Sequence, residues 1–138
     1  MIAIIRIKGL VKIKEPLQKT LYNLRLRRKY VCVIISETKE NMGMIKKISS
    51  FVAFGQVNKE TLEKLIEKRG KLIDKNKKID AKKAAEEIIK GIKCEKVNLK
   101  PFFRLHPPRG GIKSKVAFPK GVLGNHGEKI NDLIMRML

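Results

Sequence analysis

The sequence predicts an α+β domain, and three observations carry that prediction. Short β-branched runs alternate along the chain with segments whose apolar residues recur at spacings of three and four. The run from Tyr30 to Ile35 is apolar throughout, as in a strand covered on both faces. Hydrophobic residues make up 43% of the 138 residues, enough for a real core.

The first strand is expected at Ile2 to Ile7, with Arg6 as its one polar outlet. Pro16 then suits a first helical turn, and Leu17, Leu21 and Leu24 mark one face of a helix ending near Arg28. Tyr30 to Ile35 gives the second strand. Met42, Ile45 and Ile48 recur every three residues in a short helix that carries Lys46 and Lys47 on another face, and Phe51 to Val57 returns to strand composition. Asn58 is a candidate N-cap for a helix through Lys68, with Leu62, Leu65 and Ile66 as its buried stripe and Gly70 closing it.

Here the first unit, residues 1–70, ends. Its β-α-β-α-β order with an apolar central strand suggests a ferredoxin-like core. Residues 71–138 form an extension: an exposed connector, a highly charged and peripheral helix from Asp80 to Lys90, a basic Gly/Pro-rich loop, and a C-terminal helix marked by Ile130, Leu133, Ile134 and Met137. Between Glu95 and Glu128 no acidic residue occurs, whereas Lys100, Arg104, Arg109, Lys113, Lys115 and Lys120 are spread among glycines and prolines. Such a segment has too little apolar surface to pack alone, and its composition is that of a loop ordered by a phosphate-lined surface.

Charge narrows the function. Lys plus Arg number 33 against 13 Asp plus Glu, a formal net charge of +20 with a pI near 10.2. A chain this basic repels itself when compact and gains salt-dependent affinity beside a polyanion, through the release of counterions condensed on phosphates. Nucleic acid is therefore the expected partner class. Trp is absent and aromatics are 5%, which disfavours a binder that stacks base after base on aromatic platforms. Arg6 and Lys8 interrupt the apolar opening, so neither a signal peptide nor a membrane span is expected. Cys32 and Cys94 stand apart with no CxxC, and His106 and His126 lack short ligand spacing, so no metal or other cofactor is expected.

Two basic clusters stand out. Arg25, Arg27, Arg28 and Lys29 lie at a helix C-terminus, where cations also complement the helix dipole; the charge of the whole chain favours polyanion contact over a merely solvated helix end. In RLHPPRGG, residues 104–111, two prolines hold the chain extended and two glycines permit close backbone approach, so Arg104 and Arg109 can reach phosphates or exposed bases from a stiff loop. A plain connecting turn is the alternative. Catalysis lacks its parts: there is no G-x-S-x-G, no GxxxxGK[ST] and no HExxH, and Gly121, Gly124 and Gly127 are not set in the strand–turn–helix unit of a dinucleotide fingerprint.

The stretches IAIIRIKGLVKI, YVCVIISET and NMGMIKKISSFVAFGQV resemble the short core of the universal large-subunit ribosomal protein L-thirty family. RLHPPRGG and LGNHGEKINDL resemble the extension of its long archaeal form, which is related to the eukaryotic L-seven proteins. Together they cover nearly the whole chain. The resemblance implies a ferredoxin-like core docked on large-subunit (23S) ribosomal RNA, an extension reaching further RNA including the small 5S RNA, neighbouring large-subunit proteins as partners, no small-molecule substrate, no catalytic residue, and residence in the cytoplasm within the 50S subunit. It implies RNA contact by Arg25, Arg27, Arg28, Lys46, Lys47, Arg104, His106, Arg109, Lys113 and Lys115. Where bacterial members carry a basic residue before the Gly-Met pair, this chain has Met42, which removes a phosphate contact there.

Two rivals share some of these features. An acyl-phosphate hydrolase on the same scaffold would need an Arg and an Asn around a phosphate loop near the first strand, a constellation this sequence does not offer. A free RNA chaperone or DNA-compacting protein would share the charge but bind duplex DNA and RNA alike, away from ribosomes.

Overall fold

A computed structural model describes all residues, 1–138. Strand β1 (Ile2–Arg6) is wholly buried and pairs antiparallel with β2 (Val31–Ile35) on one side and β3 (Val52–Gln56) on the other. Both neighbours oppose β1, so β2 and β3 are parallel to each other with β1 between them. Helix α1 (Glu15–Asn23) joins β1 to β2, and α2 (Lys39–Ile48) carries the chain from β2 to β3. Beyond β3 come α3 (Lys59–Arg69), α4 (Ala81–Ile89), a 3-10 turn at Cys94–Val97, β4 (Phe103–Arg104), β5 (Gly124–Asn125) and α5 (Ile130–Met137). The sheet order is β4-β2-β1-β3-β5. No helix is long and apolar enough to cross a membrane.

The strands alternate their side chains between two buried layers, as their period of two requires. Ile2, Ile4, Val31, Val33, Val52 and Phe54 meet Leu21, Leu24, Ile45 and Ile48 on the α1/α2 side. Ala3, Ile5, Cys32, Ile34 and Ala53 face the opposite side and meet α3, α4 and α5. Each fully buried Leu, Ile or Val contributes roughly 1.5–3 kcal/mol from leaving water, so both layers are needed to hold a sheet this apolar. Burial pushes the Cys32 thiol up to about 12 and raises that of Cys94, which keeps both protonated and chemically quiet.

The α+β class and the alternating β-α order are as the sequence predicts; four expectations need correction. Helix α1 stops at Asn23 and not near Arg28, because Arg25 adopts φ +62° and a left-handed residue ends the helix. The charged helix α4 is not peripheral: Ala84, Ala85 and Ile88 are buried in the core while its charges face outward. The Gly/Pro-rich segment holds two short strands that complete the sheet edges, and Phe103, Leu105 and Leu123 reach the core from it.

The fourth correction is Arg6, which is buried rather than an outlet to solvent. It lacks a carboxylate partner. Its guanidinium donates instead to three backbone carbonyls: from Nε to Lys8 at 2.9 Å, from Nη1 to Leu26, and from Nη2 to Gly9 at 3.2 Å. Its own carbonyl accepts from the Tyr30 N–H at 2.7 Å. Arg6 thus holds both ends of the 26–30 segment, and burial lowers its pKa from the ordinary arginine value.

Two other contacts fix how α5 sits. Gly55 of β3 lies so close to the chain entering α5 that a Cβ there would stand 2.2 Å from the Gly127 carbonyl oxygen and 2.9 Å from the Ile130 Cβ. Asn131, also buried, accepts from the Asn58 N–H at 2.9 Å and donates to the Gln56 and Glu128 carbonyls at 3.1 and 2.7 Å. The bond to the Asn58 N–H ties the start of α3, where Asn58 is the N-cap and makes no side-chain cap bond, to α5.

Arg6→Met should cost about 3 kcal/mol by leaving buried carbonyls unsatisfied, and Arg6→Lys should not restore it, since one ammonium cannot span the three acceptors. A drop of roughly 10 °C in the thermal midpoint is expected, and an unchanged midpoint would contradict the assigned role. Gly55→Ala should destabilise by about 2 kcal/mol through overpacking against backbone. Urea unfolding that gives the wild-type midpoint would refute the close approach.

Candidate nucleic-acid interface

The loop after α1 is built to present cations. Leu24 and Leu26 are buried, and the alternating Arg25 and Arg27 are exposed, with Arg28 and Lys29 following. Arg25 and Tyr30, both at φ +62°, bracket the turn. A left-handed non-glycine residue costs on the order of 1 kcal/mol, and it persists here because Arg6 and the buried leucines over-determine the loop.

Pairing of β2 with β4 sets Val31 opposite Arg104, which brings together residues far apart in sequence. The result is a cleft of about 360 Å³ lined by Arg25, Arg27, Arg28, Val31, Phe102 and Arg104. Arg25 is ion-paired with Glu95 at 2.8 Å. The other ion pair of the molecule, Lys59 with Glu86 at 2.7 Å, lies on α3 and α4, so Arg27, Arg28 and Arg104 have no carboxylate partner. Arg27 lies over the Tyr22 ring at 5.2 Å and Arg104 over Phe102 at 5.8 Å, within reach of weak cation–π attraction. Three unpaired guanidiniums around one opening make a strong site for anionic oxygens.

A second basic cleft, also about 360 Å³, lies between α5 and the loop before β5. Lys113, Lys120, Lys129 and Arg136 line it, and Asp132 is its one acid. The two clefts share no lining residue. The RLHPPRGG loop is tied to α5 by its backbone: the His106 N–H donates to the Met137 carbonyl at 3.0 Å, and the Arg109 N–H donates to that of Arg136 at 3.1 Å. Arg136 returns bonds to the carbonyls of Arg109, at 3.2 and 2.9 Å, and Gly111, at 3.1 Å. His126 is buried, with Nε2 2.7 Å from the Val122 carbonyl oxygen and its ring centroid 4.4 Å from that of Phe118.

Of the residues singled out from sequence, Arg25, Arg27, Arg28 and Arg104 converge in the first cleft, and Lys113 and Lys120 in the second. Lys29, Lys46, Lys47, His106, Arg109 and Lys115 are exposed but line neither. Lys129 and Arg136 were not singled out. Their spacing of seven, with Asp132 between, puts them on one helical face, a signal visible in the sequence.

Comparison with known proteins fits this basic architecture. A profile of the family described as Ribosomal protein L30p/L7e matches residues 2–52. The large ribosomal subunit protein uL30 of Archaeoglobus fulgidus is 39% identical over 99% of this chain and 99% of its own. Its counterparts in Methanococcus vannielii, at 39%, and Pyrobaculum islandicum, at 37%, also match 99% of this chain, over 98% and 93% of their own lengths. These are structural ribosomal proteins and not enzymes. With relatives this similar from end to end, the chain belongs to the ribosomal protein uL30 family, in its long archaeal form.

Proposed function

We propose that this chain is a structural constituent of the large ribosomal subunit, in the cytoplasm, that binds large-subunit ribosomal RNA and performs no catalysis. The observation that carries the reading is the convergence of Arg27, Arg28 and Arg104, without carboxylate partners, on one cleft. Phosphate contacts supply most of such an interaction, and the rigid sheet behind the cleft fixes its register on the RNA.

Arg25, Arg27, Arg28, Lys29 and Arg104 are assigned to one RNA contact region. Lys113, Lys115 and Lys120, with Lys129 and Arg136, are assigned to a second, supplied by residues 71–138. The second region supports contact with a further RNA segment, the 5S RNA being the candidate. Lys46, Lys47, His106 and Arg109, exposed outside both clefts, are assigned peripheral contacts with RNA. Neighbouring large-subunit proteins are the expected protein partners. The antiparallel insertion of β1 between parallel β2 and β3 is the split β-α-β arrangement that supports a ferredoxin-like description of residues 1–70.

Sucrose-gradient sedimentation of a lysate at low and high salt, following this chain by mass spectrometry, tests the reading. Travel with large subunits until salt strips the chain is expected; a chain at the top of the gradient at every salt concentration would refute it. With purified RNA, Arg27→Ala or Arg104→Ala should weaken binding and lower the slope of log affinity against log salt by about one per lost phosphate contact. Unchanged slope and affinity would remove those residues from the interface.

A further inference from the structure

The arginine cleft has a feature that phosphate binding does not require. Two of its six lining residues, Val31 and Phe102, are apolar. Phe102 is half-buried, packed beside the α1/α2 core layer, and still contributes to the cleft lining. Arg104 stands 5.8 Å from the ring centroid, near the outer limit of a cation–π contact, so it covers the ring only loosely. A site for phosphates alone needs cations and gains nothing from an aromatic ring in its lining.

The bases of a regular A-form helix are stacked on one another and cannot offer a face to a side chain, whereas a nucleotide splayed out of a bulge or loop can. Such a nucleotide carries one apolar face and flanking phosphates, which matches one ring surrounded by guanidiniums. We infer that this cleft holds a single unstacked nucleotide of RNA, its base against the Phe102 ring and its flanking phosphates on Arg27 and Arg28. The inference rests on the RNA-binding reading above and specifies the form of RNA the cleft takes. A low aromatic content does not oppose it, because one base needs one ring.

The test compares two RNA hairpins that differ at a single bulged position, one carrying 2-aminopurine and the other an abasic residue. Phosphates and bulge are then the same, and only the base is removed. Full-length protein should bind the 2-aminopurine hairpin about tenfold more tightly, the scale of one base stacked on an aromatic side chain. Binding should also change the 2-aminopurine fluorescence. Phe102→Leu should abolish the preference, so that the two hairpins bind alike, and Phe102→Tyr, which keeps the ring, should retain it; thermal melting checks that both variants fold. Equal wild-type affinity for the two hairpins would overturn the inference and leave the RNA-binding reading intact. Absence of salt-dependent binding to either hairpin would overturn both.

Discussion

The guanidinium of Arg6 is the interaction on which the basic surface depends. A buried cation is costly, and without a carboxylate nearby it is tolerated only because backbone carbonyls of Lys8, Gly9 and Leu26 accept its hydrogens. Arginine suits this position because its planar fork can serve several acceptors at once, where a lysine offers a single point charge. Arg6 sits at the end of the central strand, so the loop bearing Arg25, Arg27 and Arg28 is anchored to the most buried element of the fold. A mutually repelling set of cations is thereby held on a rigid support. The energy that holds them together comes from the core and not from their own contacts.

Residues beyond 70 complete what the first part of the chain leaves open. With α3 alone against it, the sheet formed by β1, β2 and β3 would leave part of one apolar face and two edges open; α4 and α5 complete the cover of that face, and β4 and β5 pair with the edges. The same pairing that closes the β2 edge delivers Arg104 to the arginine loop. In the extension, the acid-free segment richest in glycine and proline is thus also the one that finishes the sheet. Its hold on the end of α5, through the backbones of His106 and Arg109, leaves those side chains exposed.

Elements with a strong hydrophobic period were legible in the sequence, because burial of one face requires that pattern whatever the tertiary details. The strands at 2–6, 31–35 and 52–56 and the helix carrying Ile130, Leu133, Ile134 and Met137 fall where periodicity puts them. Arg6 was misread because one arginine in an apolar strand looks like an exposed position; only the tertiary fold brings the Leu26 carbonyl to it. The burial of α4 was missed because its inner face is largely alanine, whose small side chains give little hydrophobic signal against the surrounding lysines and glutamates. Strands of two residues carry no period at all, so the meeting of Arg104 with the helix-end arginines was invisible although each cluster was recognised separately. The candidate residues were thus found as types, and their grouping came from the fold.

In this structure the β2–β4 pairing and the turn after α1 form the arginine cleft with no RNA contact needed. Amide hydrogen exchange on the RNA-free protein tests it most directly, at the Leu105 N–H, which donates to the Tyr30 carbonyl at 2.9 Å, and the Leu26 N–H, which donates to that of Leu21 at 2.9 Å. Protection of both amides close to that of the β1 amides is the predicted result. Exchange at both sites at the rate of an unstructured chain would make the cleft a product of RNA binding instead.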